Sequence, residues 1–359
     1  MKFIIYLLLF VNFFNFTNQL NAQGCVAIRS SGSYTISHDD ADTLSNWDMI
    51  VNNRYFKSYK HFIGTDQQKQ RVENGTNVIN HQYTMDVAIV RNIDRRWSFM
   101  LDIPLEANSR SSLYEHDKIH RYVTHSFGVG DIRFAVYRWL FNPDKFSKGN
   151  LQAGLGLKLP TGDYRFQDYF HTSDSTRVLG PVDQSIQLGD GGTGITLEIN
   201  GYYNFNSKWS LYGNFYYLSN PRDQNGVSTA RGGLPPAMSV KVGSDVMSVP
   251  DQYMVRGGLN YMTHQFSASL GLRDECLPVH DLIGGSDGFR RPGFIISAEP
   301  GFTYRLHKVS LYAYIPIALI RDRTQSVPDK NQTMITGIYT HGDAAFSDYA
   351  LDIGMNVHF

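Results

Sequence analysis

The final stretch of the chain, Tyr349 to Phe359, restricts the fold more than any other. Tyr349, Leu351, Ile353, Met355, Val357 and Phe359 alternate strictly with Ala350, Asp352, Gly354, Asn356 and His358. A period of two is a β-strand, with one apolar face and one polar, partly charged face. Such a strand suits a wall between lipid and a watery lumen, although the edge of a soluble sandwich carries the same pattern.

The alternation continues through the chain, broken by polar connectors. It predicts strands at 47–63, 76–91, 96–107, 125–141, 149–161, 192–206, 208–219, 251–263, 265–275, 292–306, 308–321 and 345–359. The clearest sets Trp97, Phe99, Leu101, Ile103 and Leu105 against Ser98, Asp102 and Glu106. Short links at 92–95, 142–148, 206–207, 264 and 307 alternate with long ones at 64–75, 108–124, 162–191, 220–250, 276–291 and 322–344. An even strand count, with short turns on one side and long loops on the other, distinguishes a membrane barrel from a sandwich. Aromatic residues gather near the short turns, as at Tyr202, Tyr203, Phe205 and Trp209, where interfacial girdles belong. The expected fold is all-β: a transmembrane, antiparallel, up-and-down β-barrel of about 12 strands over 47–359.

Lys2, the apolar run Phe3–Phe14 interrupted by Asn12, and a small Ala22 read as a secretory signal peptide over 1–22. Residues 23–46 then form a periplasmic or plug-like segment. No later run is long enough for a spanning helix. With 33 basic and 33 acidic residues the formal charge is zero, which gives no reason to invoke nucleic acid. In an oxidising compartment Cys25 and Cys276 are candidates for a disulfide. The alternatives are a lipidated Cys25, from the loose lipobox Ala22-Gln23-Gly24-Cys25, or two unpaired thiols.

A charge on the lipid face of a barrel strand costs roughly 2–4 kcal/mol at the midplane, so charged strand residues are expected to face the lumen. By alternation these are Asp86, Asp102, Glu106, Arg133, Glu198, Arg256, Arg273, Glu299, Asp348 and Asp352. They either fill a narrow interior as a salt-bridge network or line an aqueous path. Alternation also predicts that a charge is tolerated better at Gly154 or Thr196 than at Leu101, Leu155 or Leu197. The two longest loops, 162–191 and 220–250, are long enough to fold inward.

Phe359 as the last residue resembles the C-terminal signal of bacterial outer-membrane barrels, which the barrel-assembly machinery reads. A second resemblance lies in Gly128-Val129-Gly130-Asp131, Leu159-Pro160-Thr161-Gly162-Asp163 and Leu188-Gly189-Asp190-Gly191-Gly192. This ordered set is similar to the outer-membrane transporter family associated with the meta-pathway of phenol degradation. The resemblance implies uptake of small aromatic or hydrophobic compounds across the outer membrane.

No catalytic constellation stands out. His116, His120 and His125 fall in or beside a polar loop, where helical metal-ligand spacing has no meaning. His125 and Ser126 invite comparison with outer-membrane phospholipase A, but adjacent strand residues point to opposite faces. We expect no enzyme activity, no metal and no cofactor. The expected function is a channel or transporter for a small-molecule solute, with outer-membrane lipids as surroundings. The alternative is a structural or surface-interaction barrel with a filled lumen and ligand-binding loops.

Overall fold

In a computed structural model the protein is described over residues 46–146 and 148–359. The predicted signal peptide, Cys25 and nearly all of the plug-like segment lie outside these residues.

Twelve strands run up and down. They are β1 (Trp47–Ile63), β2 (Ile79–Asn92), β3 (Trp97–Ser112), β4 (Tyr122–Val129 and Arg133–Trp139), β5 (Gly149–Lys158) and β6 (Gly194–Asn204). The second half comprises β7 (Trp209–Ser219), β8 (Gln252–Met262), β9 (Phe266–Leu277), β10 (Gly293–Arg305), β11 (Val309–Tyr314 and Ile317–Arg323) and β12 (Ala344–His358). Every neighbouring pair is antiparallel, and β12 returns to pair with β1, so the sheet closes. At the seam the Trp47 amide donates to the Phe359 carbonyl at 3.1 Å and the Phe359 amide donates back at 3.0 Å. Closure leaves no edge strand, the condition for a sheet in lipid. No helix among the described residues is long and apolar enough to cross a membrane.

Two strands predicted as continuous are interrupted, and proline explains both. Proline cannot donate to a ladder. The gap in β4 at residues 130–132 lies opposite Pro104, between the pairs Leu105–Val129 and Asp102–Arg133. The gap in β11 contains Pro316 and lies opposite Pro300, whose carbonyl accepts from Ile315 at 3.0 Å. Strand β3 also outruns its predicted end, because Asn108 to Ser112 keep alternating in a polar extension.

The outer surface is apolar where it meets lipid: Leu155, Leu197, Leu259, Leu270 and Leu272 are all exposed. Trp47, Trp97, Trp209 and Phe205 are exposed at the short-turn end, and Arg91 and Arg138 cover the rings of Trp47 and Trp97. A closed barrel with an apolar outer band and an aromatic girdle is an outer-membrane barrel. The opposite end carries the long loops, with short helices α1 (Lys69–Glu73), α2 (Ala237–Val242) and α3 (Val327–Thr336). The loop after β5 forms the hairpin Gln167–His171 and Arg177–Pro181, then turns into the bore with Val182, Ile186 and Leu188 buried.

Candidate functional site

Most inward-facing charges predicted from alternation meet in one belt across the bore, at similar distances from the short turns. Arg54 comes from β1, Asp86 from β2, Asp102 from β3, Arg133 from β4 and Glu198 from β6. Arg256, Arg273, Glu299 and Asp352 come from β8, β9, β10 and β12. Arg273 reaches Glu299 and Asp352 at 3.1 Å each and Glu275 at 2.9 Å. Arg54 reaches Glu275 at 2.8 Å, Arg256 lies 3.7 Å from Glu299, and Arg133 clasps Asp102 at 2.5 Å. Glu198 accepts from Tyr137 at 2.7 Å and from Asn214 at 3.2 Å. Asp102, Glu299 and Asp352 are 0% exposed. Removing charges from water is costly, so the belt depends on shared arginines: Arg273 serves three carboxylates and Arg54 two.

Two partners were missing from the expected set. Arg54 lies in the first segment, where alternation is weakest, and Glu275 at the far end of β9. The signal for both was the same inward phase that marks Asp352 and Arg273. Two expected residues lie apart from the belt. Glu106 is four positions above Asp102 on β3. Asp348 sits beside the bulged β1–β12 pairing, half-exposed, held by Lys60 and Arg321 at 2.7 Å and by Tyr59 at 3.0 Å. Cys276 is fully buried opposite Tyr253 on β8, and its candidate partner Cys25 lies outside the described residues.

Where the belt lacks a charge, tyrosines lie flat against glycines. The Tyr137 ring covers Gly154 on β5, where a Cβ would collide with it. Gly154 is therefore not the permissive position that alternation alone suggests.

Above the belt is a polar chamber of about 120 Å³. Its wall includes Thr84, Glu106, Arg133 and Tyr216, and its roof is the in-turned segment Gln184 to Asp190. The roof is tied to the wall by Gln82 donating to the Ser185 carbonyl at 2.6 Å and Ser126 donating to the Ile186 carbonyl at 2.5 Å.

The three glycine-rich motifs converge at the edge of this roof. The Asp131 carboxylate, in the β4 gap, accepts from the Gly162 amide at 3.0 Å and the Asp190 amide at 3.2 Å. Lys158 bridges Asp131 at 3.2 Å and Asp190. Gly162 and Gly189 are required by close approach: a Cβ would strike the Leu188 carbonyl at one and Asp131 at the other. Read singly, the motifs are turns. Together they clasp the in-turned loop to the wall.

A second charged layer lies at the outer mouth. Arg110 binds Glu115 at 2.6 Å, Arg291 binds Asp183 at 2.6 Å and Arg231 binds Glu115 at 2.8 Å. Burial alone would raise the pKa of Asp183, but Arg110 and Arg291 hold it well below the usual carboxylate range. Burial likewise opposes ionisation of Glu115, and Arg110 with Arg231 outweigh it.

His125 and Ser126 do face opposite ways: Ser126 is buried under the roof, whereas the exposed His125 ring is 3.9 Å from Asp168. His116 is buried, and its Nδ1 accepts from the His171 amide at 3.1 Å. At the surface Asp117, His120 and Asp174 place ligand atoms within 4.8 Å of one another. There Asp117 already accepts from the Ile119 and His120 amides at 2.8 Å.

No known family and no curated protein matches the sequence. Among solved structures the chain is similar to an outer membrane channel from Pseudomonas putida F1. The TM-score is 0.60 at 11% identity, covering 93% of this chain and 100% of that one. It also aligns with a FadL homologue from Pseudomonas aeruginosa, at TM-score 0.45 and 9% identity over 94% and 96% of the two chains. The Pseudomonas putida toluene transporter TodX aligns at TM-score 0.43 and 9% identity, over 95% and 96%. At 0.60 the first of these shows a shared fold: the chain is built as that outer membrane channel is.

Proposed function

We propose that the protein is an outer-membrane channel for small solutes, in which the clasped loop Val182–Gly192 gates the bore. The observation that carries this reading is the chamber, lined mostly by polar residues, that lies between the charge belt and that loop. A barrel built only to be filled has no need to hold a loop over a chamber with a few hydrogen bonds and one lysine bridge. The ordered motifs add a resemblance to the transporter family associated with the meta-pathway of phenol degradation. That resemblance favours aromatic or hydrophobic solutes, whereas the chamber lining favours polar ones. An aromatic compound bearing a polar or charged group satisfies both. Phe359, ending the seam strand, serves as the signal for the barrel-assembly machinery.

The complete burial of Asp102, Glu299 and Asp352 favours a second reading, a structural barrel with a sealed lumen and surface-binding loops. Planar-bilayer recording of purified full-length protein separates the two. Asp131→Asn weakens the clasp, so its conductance is expected to exceed that of the native protein. If neither protein conducts while both remain heat-modifiable barrels, the sealed-barrel reading replaces the channel.

A further inference from the structure

We propose that the outer mouth holds a binding site for one oxyanion, and that its ligand is a small organic carboxylate. A cavity of about 180 Å³ opens there, walled by residues from β1, β3, the start of β12 and five of the long loops. Arg71, Arg110, Arg231 and Arg291 all line it. The carboxylates that answer them are Glu115, Asp183 and Asp343. His61 does not add a charge: its Nε2 accepts from the Val78 amide at 2.8 Å, leaving Nδ1 to donate to Asp343 at 3.0 Å. Four guanidinium groups thus face three carboxylates, leaving one positive charge in excess.

Two donors on residues that line this cavity have no acceptor among the described residues. Ser112 is 0% exposed with its Oγ unpartnered, and the buried Nε of Arg231 is likewise unanswered. Buried donors without acceptors are rare because each forfeits its hydration. Arg231 also sits at φ +49, a left-handed conformation that non-glycine residues seldom adopt and that tends to mark functional sites. An oxyanion satisfies the charge and both donors together, because a carboxylate accepts on two oxygens and suits an arginine fork. The far wall is Val78, Ala344, Ala345 and the Tyr114 ring, which gives the ligand's carbon body an apolar surface.

Calorimetric titration of the purified full-length barrel with benzoate tests the assignment, with benzyl alcohol as the neutral counterpart. Benzoate is expected to bind saturably and benzyl alcohol not to bind. Arg231→Gln removes a charge-assisted donor and should weaken benzoate by about tenfold or more. Asp343→Asn frees Arg71 and adds a second excess positive charge, so it should tighten benzoate, a gain that misfolding cannot imitate. Equal binding of benzoate and benzyl alcohol, or unchanged benzoate affinity in both variants, overturns the site. The site and the channel reading fail separately. Conductance without benzoate binding refutes only the site, and benzoate binding without conductance refutes only the channel.

Discussion

The charge belt and the outer mouth use the same arginine–carboxylate chemistry on different supports. In the belt most residues are fixed by strand register, one per strand on most of the wall, and several are wholly dry. In the mouth the partners come from loops: Arg291 reaches Asp183 across 108 positions of sequence. Strand register makes a charge network that cannot rearrange without breaking the wall. Loop support makes one that can open while the wall stays intact. On the proposed channel reading, the difference gives permanent narrowing to the belt and adjustable access to the mouth.

The largest effects should therefore fall in the belt. Arg273→Ala removes the arginine that Glu299, Asp352 and Glu275 share in a dry layer and is expected to cost roughly 3–5 kcal/mol, read as a lower urea midpoint of the detergent-solubilised barrel. A midpoint close to native would show that the belt is wet and as adaptable as the mouth.

Next comes the wall that carries the belt. Leu155→Arg on the lipid face should cost roughly 2–4 kcal/mol and lower the yield of heat-modifiable protein. Gly154→Ala, one residue earlier and facing inward, should cost about 1–3 kcal/mol by pushing the Tyr137 ring away. Native stability of Gly154→Ala would mean that the belt yields to a methyl group.

The mouth should respond less. Arg71→Gln loses an ion pair whose partners are about one-quarter exposed, so a change under about 1 kcal/mol is expected. Its sign of damage is faster proteolysis of residues 64–78, with the rest of the barrel resistant. Global unfolding would place the mouth in the same cooperative unit as the belt.

The smallest effect is on acidification. Burial pushes the Asp343 carboxyl up, but hydrogen bonds from His61 and Arg71 and the charge of Arg71 bring it from 3.8 down to about 2. A depressed folded pKa contributes stability above the ordinary value and loses it as protons bind. Loop protection in hydrogen exchange should hold down to about pH 4 and fall between there and about pH 2. Protection that fails instead near neutral pH would point to histidine and away from Asp343.

The belt was legible because two simple facts suffice: side chains alternate along a strand, and a lipid-facing charge is expensive. Asp102, Glu198 and Asp352 follow from these without knowing which strands touch. The strand breaks were less legible, since Pro104 interrupts a neighbouring strand and not its own. The clasp was invisible in sequence because Asp131, Gly162 and Asp190 each look like ordinary turn residues. Only the folded loop shows that one carboxylate serves all three segments. The mouth depends on loop conformations for which no periodic pattern exists, so neither Arg110 with Asp183 nor the unanswered Ser112 hydroxyl could be anticipated.

The β1–β12 seam fixes the order in which this molecule is made. His358 pairs with Asp48 across 310 positions of sequence, and the Phe359 amide and carbonyl pair with Trp47. Contacts of such separation bring the largest loop-closure cost and form late. Strand β12 must therefore be present before the cylinder can shut, and until then the strands at the seam offer bare ladders to any passing strand. Keeping both ladders from other strands until they meet is the demand that this closed geometry makes of assembly.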